Sequence, residues 1–162
     1  MYKIDEIDIQ IANLLVEDGR LSSAEIARQI GGISERAARY RIERMIREGI
    51  IQVRAIANPS YAGFTVMANV WLQVEADAIG EVARLLGSYP CITQISNSIG
   101  EVDLGLVVVG RDAAEIYEFV TQVIGKTPGV RKTTTSIVPQ VLKAAHEWKF
   151  PIDSNHPCGP GE

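Results

Sequence analysis

Cysteine is nearly missing from this chain. Cys91 and Cys158 are the two in 162 residues, too few and too far apart for a disulfide framework or a zinc knuckle, and they read as reduced thiols of a cytosolic protein. Histidine is as scarce: His146 and His156 both stand near the end. The long stretch before them therefore offers no histidine base for a nucleophile. The tail set of His146, His156 and Cys158 has no spacing typical of a metal site, so no metal and no cofactor are expected. GxxxxGK[ST], GxGxxG and HExxH are all absent. No apolar run reaches the roughly 18 residues of a membrane span, and the opening MYKIDEIDIQ carries charges where a secretory segment needs apolar residues. A large charge of either sign is lacking too, since the formal net charge is −4. What remains is 46% apolar and 22% charged, the composition of an ordinary globular protein with one or two small domains.

The small net charge conceals an uneven distribution. Residues 1–60 hold nine Lys/Arg and nine Asp/Glu, whereas residues 61–162 hold seven against eleven. Within the neutral part, SERAARYRIERMIREG (34–49) contains five arginines and no lysine. Lysine serves solubility equally well, so the exclusive use of arginine points to recognition, because the planar guanidinium bonds phosphates and guanine edges in pairs. The competing reading is a solvated face built from a good helix former.

Periodicity places this stretch on the third of three helices. In IDEIDIQIANLLVEDG, Ile4, Ile7, Ile11, Leu14 and Leu15 recur at steps of three and four, with Asp5 as cap and Gly19 as stop. SSAEIARQIGG follows, with Ser22 or Ser23 as cap, Ile26, Ala27 and Ile30 inward, and Gly31-Gly32 as a tight turn. Ser34 caps the next helix and Gly49 lies past its end. Two helices joined by a short glycine turn are a helix-turn-helix signature. At about 100° per residue, Ala38, Ile42, Met45 and Gly49 form the inward stripe of the third helix, with Ile46 at its edge. Arg36, Tyr40, Glu43 and Arg47 point the opposite way; Arg39 lies on one shoulder, and Arg41 and Arg44 on the other. The expected DNA-binding set is Ser34, Arg36, Arg39, Tyr40, Glu43, Arg44 and Arg47, with Ser34 able to offer the helix N-terminus to a phosphate.

IIQVRAIA (50–57) is β-branched and partly alternating, so a strand is expected there, ended by Asn58-Pro59 and followed by a hinge through residue 64. The rhythm then changes. TVMANVWLQVEA alternates Val66, Ala68, Val70, Leu72 and Val74 on one face. DAIGEVARLLGSY places Ile79, Val82, Leu85 and Leu86 on a helical stripe. CITQISNSIG and EVDLGLVVVG read as two strands with Gly100 at their turn. RDAAEIYEFVTQVIGKTPG is a helix with Ala113, Ile116, Tyr117, Val120 and Ile124 inward, and VRKTTTSIVPQVLK closes as a strand. The order β-α-β-β-α-β is the ferredoxin-like split unit, an α+β fold. Its helices cover one sheet face, and a second copy of the chain is the simplest cover for the other. The tail AAHEWKFPIDSNHPCGPGE lacks a clear period after Trp148, and its last ten residues are expected to be flexible.

These segments together resemble the Lrp/AsnC, or feast/famine, family of transcription regulators, over roughly residues 3–143. The resemblance rests on IDEIDIQIANLLVEDGRLSSAEIARQIG, ISERAARYRIERMIREGII, NPSYAGF, IGEVDLGLVVVG and TPGVRKTTTSIV. It implies a winged-type helix-turn-helix in residues 1–51, a connecting strand and hinge in 52–64, a ligand-sensing and oligomerisation domain in 65–143, and a tail in 144–162. It further implies double-stranded DNA as partner, a cytoplasmic and nucleoid-associated location, and homodimers that pair through the sheet and build octamers. A small effector, usually an amino acid, is implied beside the loop joining the second and third strands. That makes Ser98, Ile99, Gly100, Glu101, Val102 and Asp103 the candidate effector residues. Gly100 lets backbone come close to a ligand, and the loop amides and Asp103 suit a carboxylate and an ammonium group. The same residues also suit a hairpin turn with a self-bonding aspartate. Where the family often has threonine before the glycine and an aromatic before the aspartate, this chain has Ile99 and Val102. An enzyme branch of the same architecture, the sirohaem decarboxylases, is the alternative. It relies on histidine in the C-terminal half, and this chain has none between residues 1 and 145. An effector-independent DNA-binding oligomer is the other.

Overall fold

The computed structural model describes residues 3–151. They form two compact units, one running through Ile56 and joined by the stretch from Leu142 onward, the other Ala57–Val141. The flexibility expected of the last ten residues, and the positions of His156 and Cys158, fall outside the described residues.

The first unit is three helices, α1 (Glu6–Glu17), α2 (Ser23–Ile30) and α3 (Glu35–Arg47). Each starts where a side chain takes the orphan amides of the first turn. Asp5 and Asp8 cap α1 reciprocally, Ser22 and Glu25 do the same for α2, and the Ser34 hydroxyl accepts from the Ala37 amide on α3. Gly31 and Gly32, at φ 71° and 69°, make the turn between α2 and α3 in a conformation other residues adopt only at a cost. Ile11, Ala12, Ile26, Ala27, Ala38 and Met45 are the buried core of this unit.

The strand expected at 50–57 is not formed. Residues 51–57 have no regular secondary structure and pair with no described strand, and a ladder needs a partner for its amides and carbonyls. Val53 and Ile56 remain exposed, and the helix-turn-helix accordingly has no wing strand among the described residues. The expected hinge is more ordered than a hinge: Pro59–Ala62 is a 3-10 turn, with the Asn58 side chain accepting from the Ser60 amide. The described start of the tail is tied to the first unit. Phe150 packs against the first unit's core, and its backbone N–H and C=O are both bonded by the Asn13 amide group, at 2.8 Å and 2.9 Å. Lys149 pairs with Glu17.

The second unit is β1 (Val66–Val74), α4 (Ile79–Leu86), β2 (Ile92–Asn97), β3 (Leu104–Gly110), α5 (Ala113–Gln122) and β4 (Val130–Val138). The four strands are antiparallel in the order β2-β3-β1-β4. The even-numbered row of β1, Ala68, Val70, Leu72 and Val74, is buried with Leu104, Leu106 and Val108 of β3 beneath Val82 and Leu86 of α4 and Ile116 and Val120 of α5. Three residues expected inward are not: Leu85, Ala113 and Tyr117 are exposed. Beside Leu85 and Tyr117 a neighbour on the same helix, Leu86 or Ile116, takes the buried position, so the apolar stripe is narrower than the sequence implied. By strand alternation the opposite sheet face holds Met67, Asn69, Trp71 and Gln73 of β1 with Val107 and Val109 of β3, away from α4 and α5.

The C-terminal end of β1 is held by Asp103. Its Oδ2 accepts from the Val74 amide at 2.8 Å, just where the β1–β4 register shifts between Gln73 and Val74. Arg131 closes the arrangement, lying 3.8 Å from the same oxygen and donating to the Val74 carbonyl at 3.1 Å. The carboxylate thus satisfies an amide that lies past the end of the β1–β3 ladder, whose last pair is Leu72 and Leu104. Asp103→Ala should destabilise the protein by about 1–3 kcal/mol with no ligand present, read as a lower midpoint in urea denaturation; an unchanged midpoint would show the contact to be incidental.

Candidate nucleic-acid interface and effector loop

The surface of α3 divides as its sequence implied. Ala38 and Met45 are buried, Ile42 is half-buried and Ile46 is exposed. Ser34, Arg36, Arg39, Tyr40, Glu43 and Arg47 are exposed, and Arg44 is half-buried. One continuous strip of the helix therefore presents guanidinium, phenol and a single carboxylate to solvent. The arginines on it are not equivalent. Arg39 is paired with Glu35 one turn back, at 2.7 Å. Arg47 lies 3.8 Å from Glu48. Arg36 makes no ion pair among the described residues. Chemically the strip suits a ligand that is anionic and edge-patterned, the combination that duplex DNA offers in its major groove.

Arg41 is different. Its Nη1 donates to Asp5 Oδ1 and Oδ2 at 2.9 Å and 2.8 Å and to Asp8 Oδ1 at 2.7 Å. Its hydrogen bonds to Asp5 and Asp8 raise the guanidinium above its ordinary value. Burial pulls the Asp5 carboxyl upward, but the Asp8 amide and Arg41 outweigh that pull and hold it below the usual carboxylate range. Sequence reading set Arg41 on a shoulder of α3 and treated Asp5 only as a cap. It missed Asp8 altogether, because a buried aspartate inside an amphipathic helix looks like one more polar position. The available signal was Asp8 at the third position after Asp5, where a capping box places its acid.

The loop between β2 and β3 runs from Ser98 to Asp103. It is longer than the tight hairpin considered above, and its aspartate bonds the end of β1 rather than its own turn. The Ser98 amide donates to the Asp103 carbonyl and the Asp103 amide to the Leu72 carbonyl, both at 2.8 Å. Gln73 Nε2 donates to the Glu101 carbonyl at 3.1 Å. Gly100 has φ 142°, and a Cβ there would meet nothing within 4 Å; what requires glycine is the backbone conformation, not crowding. Ile99 is fully exposed at the tip, Glu101 is exposed, and Ser98, Val102 and Asp103 are half-buried. The six candidate residues are therefore contiguous on one loop, but the Asp103 carboxylate is already engaged by Val74 and faces Arg131.

No group of three or more His, Cys, Asp or Glu able to hold a metal occurs among the described residues. Burial pushes the half-buried Cys91 thiol up, which keeps it protonated and poorly nucleophilic. No helix among the described residues is long and apolar enough to cross a membrane.

Comparison with known proteins agrees with both halves. The AsnC-type helix-turn-helix domain matches residues 4–46, and the Lrp/AsnC ligand binding domain matches residues 66–148. An uncharacterized HTH-type transcriptional regulator of Pyrococcus abyssi is 36% identical over 91% of this chain and 94% of its own length. The HTH-type transcriptional regulator FL11 of Pyrococcus furiosus is 31% identical over 89% of this chain and 95% of its own. Among solved structures, AsnC of E. coli superposes with a TM-score of 0.80 at 24% identity, covering 90% of this chain and 99% of that one. A Neisseria meningitidis transcriptional regulator in complex with L-Met does so with a TM-score of 0.83 at 23% identity, covering 93% and 98%. The chain belongs to the Lrp/AsnC family of transcriptional regulators.

Proposed function

We propose that this regulator binds specific duplex DNA through Ser34, Arg36, Arg39, Tyr40, Glu43, Arg44 and Arg47, and that a small effector, an amino acid, modulates the binding from the second unit. In this reading residues 1–51 bind DNA, 52–64 connect, and 65–143 sense and oligomerise, so the protein works on the nucleoid in the cytoplasm. The observation that carries the reading is the α3 strip: exposed arginine and tyrosine on a helix packed as the second of a helix-turn-helix pair. The names of the relatives, all regulators, favour this over a tetrapyrrole enzyme. The test is selection of binding duplexes from a random pool, followed by titration of variants on the selected sequence. Arg36→Ala and Arg39→Ala should each weaken specific binding by about 1–3 kcal/mol, with relaxed preference at one base position if the residue reads a base. Equal weakening on all sequences marks a phosphate contact, and no change in any arginine variant shows the strip to be merely solvated.

Assembly belongs to the same proposal. Neither α4 nor α5 covers the sheet face carrying Met67, Trp71 and Val107, and apolar residues on such a face favour a self-complementary pairing with a second copy. Light scattering should give a dimer, or an even multiple such as an octamer, and a dilute monomer would remove this element. Two α3 helices related by a two-fold axis would then read a roughly palindromic site.

The effector is the least constrained part. The Neisseria regulator was crystallised with L-Met, and the loop of Ser98, Ile99, Gly100, Glu101, Val102 and Asp103 stands where the family resemblance places small metabolites. Ile99 and Val102 make the wall apolar, so an apolar or aromatic amino acid should bind in preference to asparagine. Calorimetry with a panel of amino acids checks this on the wild type and on Gly100→Ala, which must distort a backbone held at φ 142° and should lose the binding. Tight binding that survives Gly100→Ala moves the site elsewhere, and absence of binding by the whole panel favours an effector-independent regulator.

A further inference from the structure

We propose that Asp8 is a positioning residue for DNA recognition: acting through Arg41, it fixes the roll of α3 about its own axis, and with it the direction in which Arg36, Tyr40, Glu43 and Arg47 point. The proposal rests on the DNA-binding reading above.

The apolar packing of α3 leaves that roll loosely set. Ala38 and Met45 are its fully buried residues, Ile42 is half-buried against the core, and Ile46 is 45% exposed. Alanine has no side chain to key into a groove, and methionine is the most adaptable of apolar side chains. Such a stripe keeps the helix on its unit and tolerates small rotations. At the outer radius of a helix, roughly 5–6 Å, a roll of about 10° shifts a side-chain tip by about 1 Å. That is enough to spoil a bidentate bond to a base edge, whose tolerance is a few tenths of an ångström.

The polar contact beside the stripe supplies the missing constraint. Arg41 leaves α3 next to Tyr40 and reaches three carboxylate oxygens through one nitrogen, at 2.7–2.9 Å. The Asp8 side chain is 0% exposed and that of Arg41 is 24% exposed, so neither end of this bond is free to wander. Asp8 is itself tied down. Its Oδ2 accepts from the Asp5 amide at 3.2 Å, and the Asp8 amide donates to Asp5 Oδ1 at 2.9 Å. The acidic half of the anchor is thus the capping box of α1, and it cannot move without uncapping that helix. A buried charge of this kind contributes little net stability and is more readily understood as a device for a unique arrangement.

Charge and geometry make opposite predictions here, which renders the proposal testable. Asp8 is a negative charge beneath a helix that faces phosphate. If charge alone mattered, its neutralisation would tighten binding, and release of Arg41 would add a phosphate contact. If Asp8 sets the roll, neutralisation loosens the reading strip and specific binding falls.

The experiment uses the full-length protein and the duplex selected by the wild type, with a scrambled duplex beside it. Asp8→Asn should weaken binding to the selected duplex about tenfold, the size of one poorly made base contact, while binding to the scrambled duplex changes little. Arg41→Met should do the same with an unchanged slope of affinity against salt, and the two losses should not add in the double variant. Arg41→Lys, which retains donors at that place, should restore most of the preference. Binding by Asp8→Asn that is unchanged or tighter overturns the proposal. So does a salt slope that falls by about one in Arg41→Met, because that is the loss of a phosphate contact. Circular dichroism establishes folding at the assay temperature. Where Asp8→Asn does not fold, Asp8→Glu keeps the charge but displaces it by one methylene; the same selective loss is expected, and unchanged discrimination overturns the idea. A wild type that selects no duplex defeats the DNA-binding reading itself, an outcome distinct from a wild type that binds and an Asp8 variant that binds equally well.

Discussion

Everything in the second unit hangs on β1. It pairs on both sides through most of its length, with β3 along one edge and β4 along the other. Its even-numbered residues are the floor on which α4 and α5 sit. Burial of that row dictates the register, because a one-residue slip would turn Ala68, Val70, Leu72 and Val74 out to the open face. A problem remains at its end, where the pairing with β3 stops at Leu72 and Leu104 and the Val74 amide is left over. Asp103 and Arg131 answer that problem. A residue at the base of a candidate ligand loop is thereby tied to the integrity of the sheet, so a change felt at the loop reaches β1 and β4 directly.

The first unit is built on a different principle. Among the described residues its fully buried core is six residues inside a shell of partly buried ones, and half of the six are alanine, which has no side chain to key an orientation. Capping boxes on α1 and α2, a serine cap on α3 and the Arg41 anchor supply what the core lacks. Short-range polar geometry therefore decides where the recognition strip points, and the apolar residues decide only that the helices associate.

The sequence made the regular parts of this architecture legible and the exceptions illegible. The period-two row of β1, the three helix caps and the order of the βαββαβ unit were all readable, because each is a local pattern with a local cause. Leu85 and Tyr117 were misplaced because periodicity marks a face without giving its width. The strand expected at 50–57 failed for a different reason: β-branched residues state a preference, whereas a strand exists only when another segment accepts its hydrogen bonds. Arg41 could be placed on a shoulder of α3, but its partners lie more than thirty residues earlier, and no periodicity reports a contact of that range. On the loop, sequence reading assigned Gly100 a role in close approach to a ligand, and the structure adds a reason of its own. The space around it is open, and its backbone angle is what excludes other residues.

The puzzle of an acidic chain that gathers arginine on one helix resolves once the arginines are separated by what holds them. Arg41 is committed to two carboxylates and is structural. Arg39 is held by Glu35 on the surface, where such a pair is worth only about 0.2–1 kcal/mol, so a phosphate or a guanine edge can take it over at small cost. Arg36 makes no ion pair among the described residues and needs no release at all. Lysine would satisfy the simple need for charge in each of these places. It would not supply a rigid planar fork whose direction, once α3 is held in roll, is known in advance. The composition of the helix and the anchor beneath it are thus two parts of one requirement: bidentate reading is useful only from a helix that does not turn, and a fixed helix is useful only if its side chains are themselves directional.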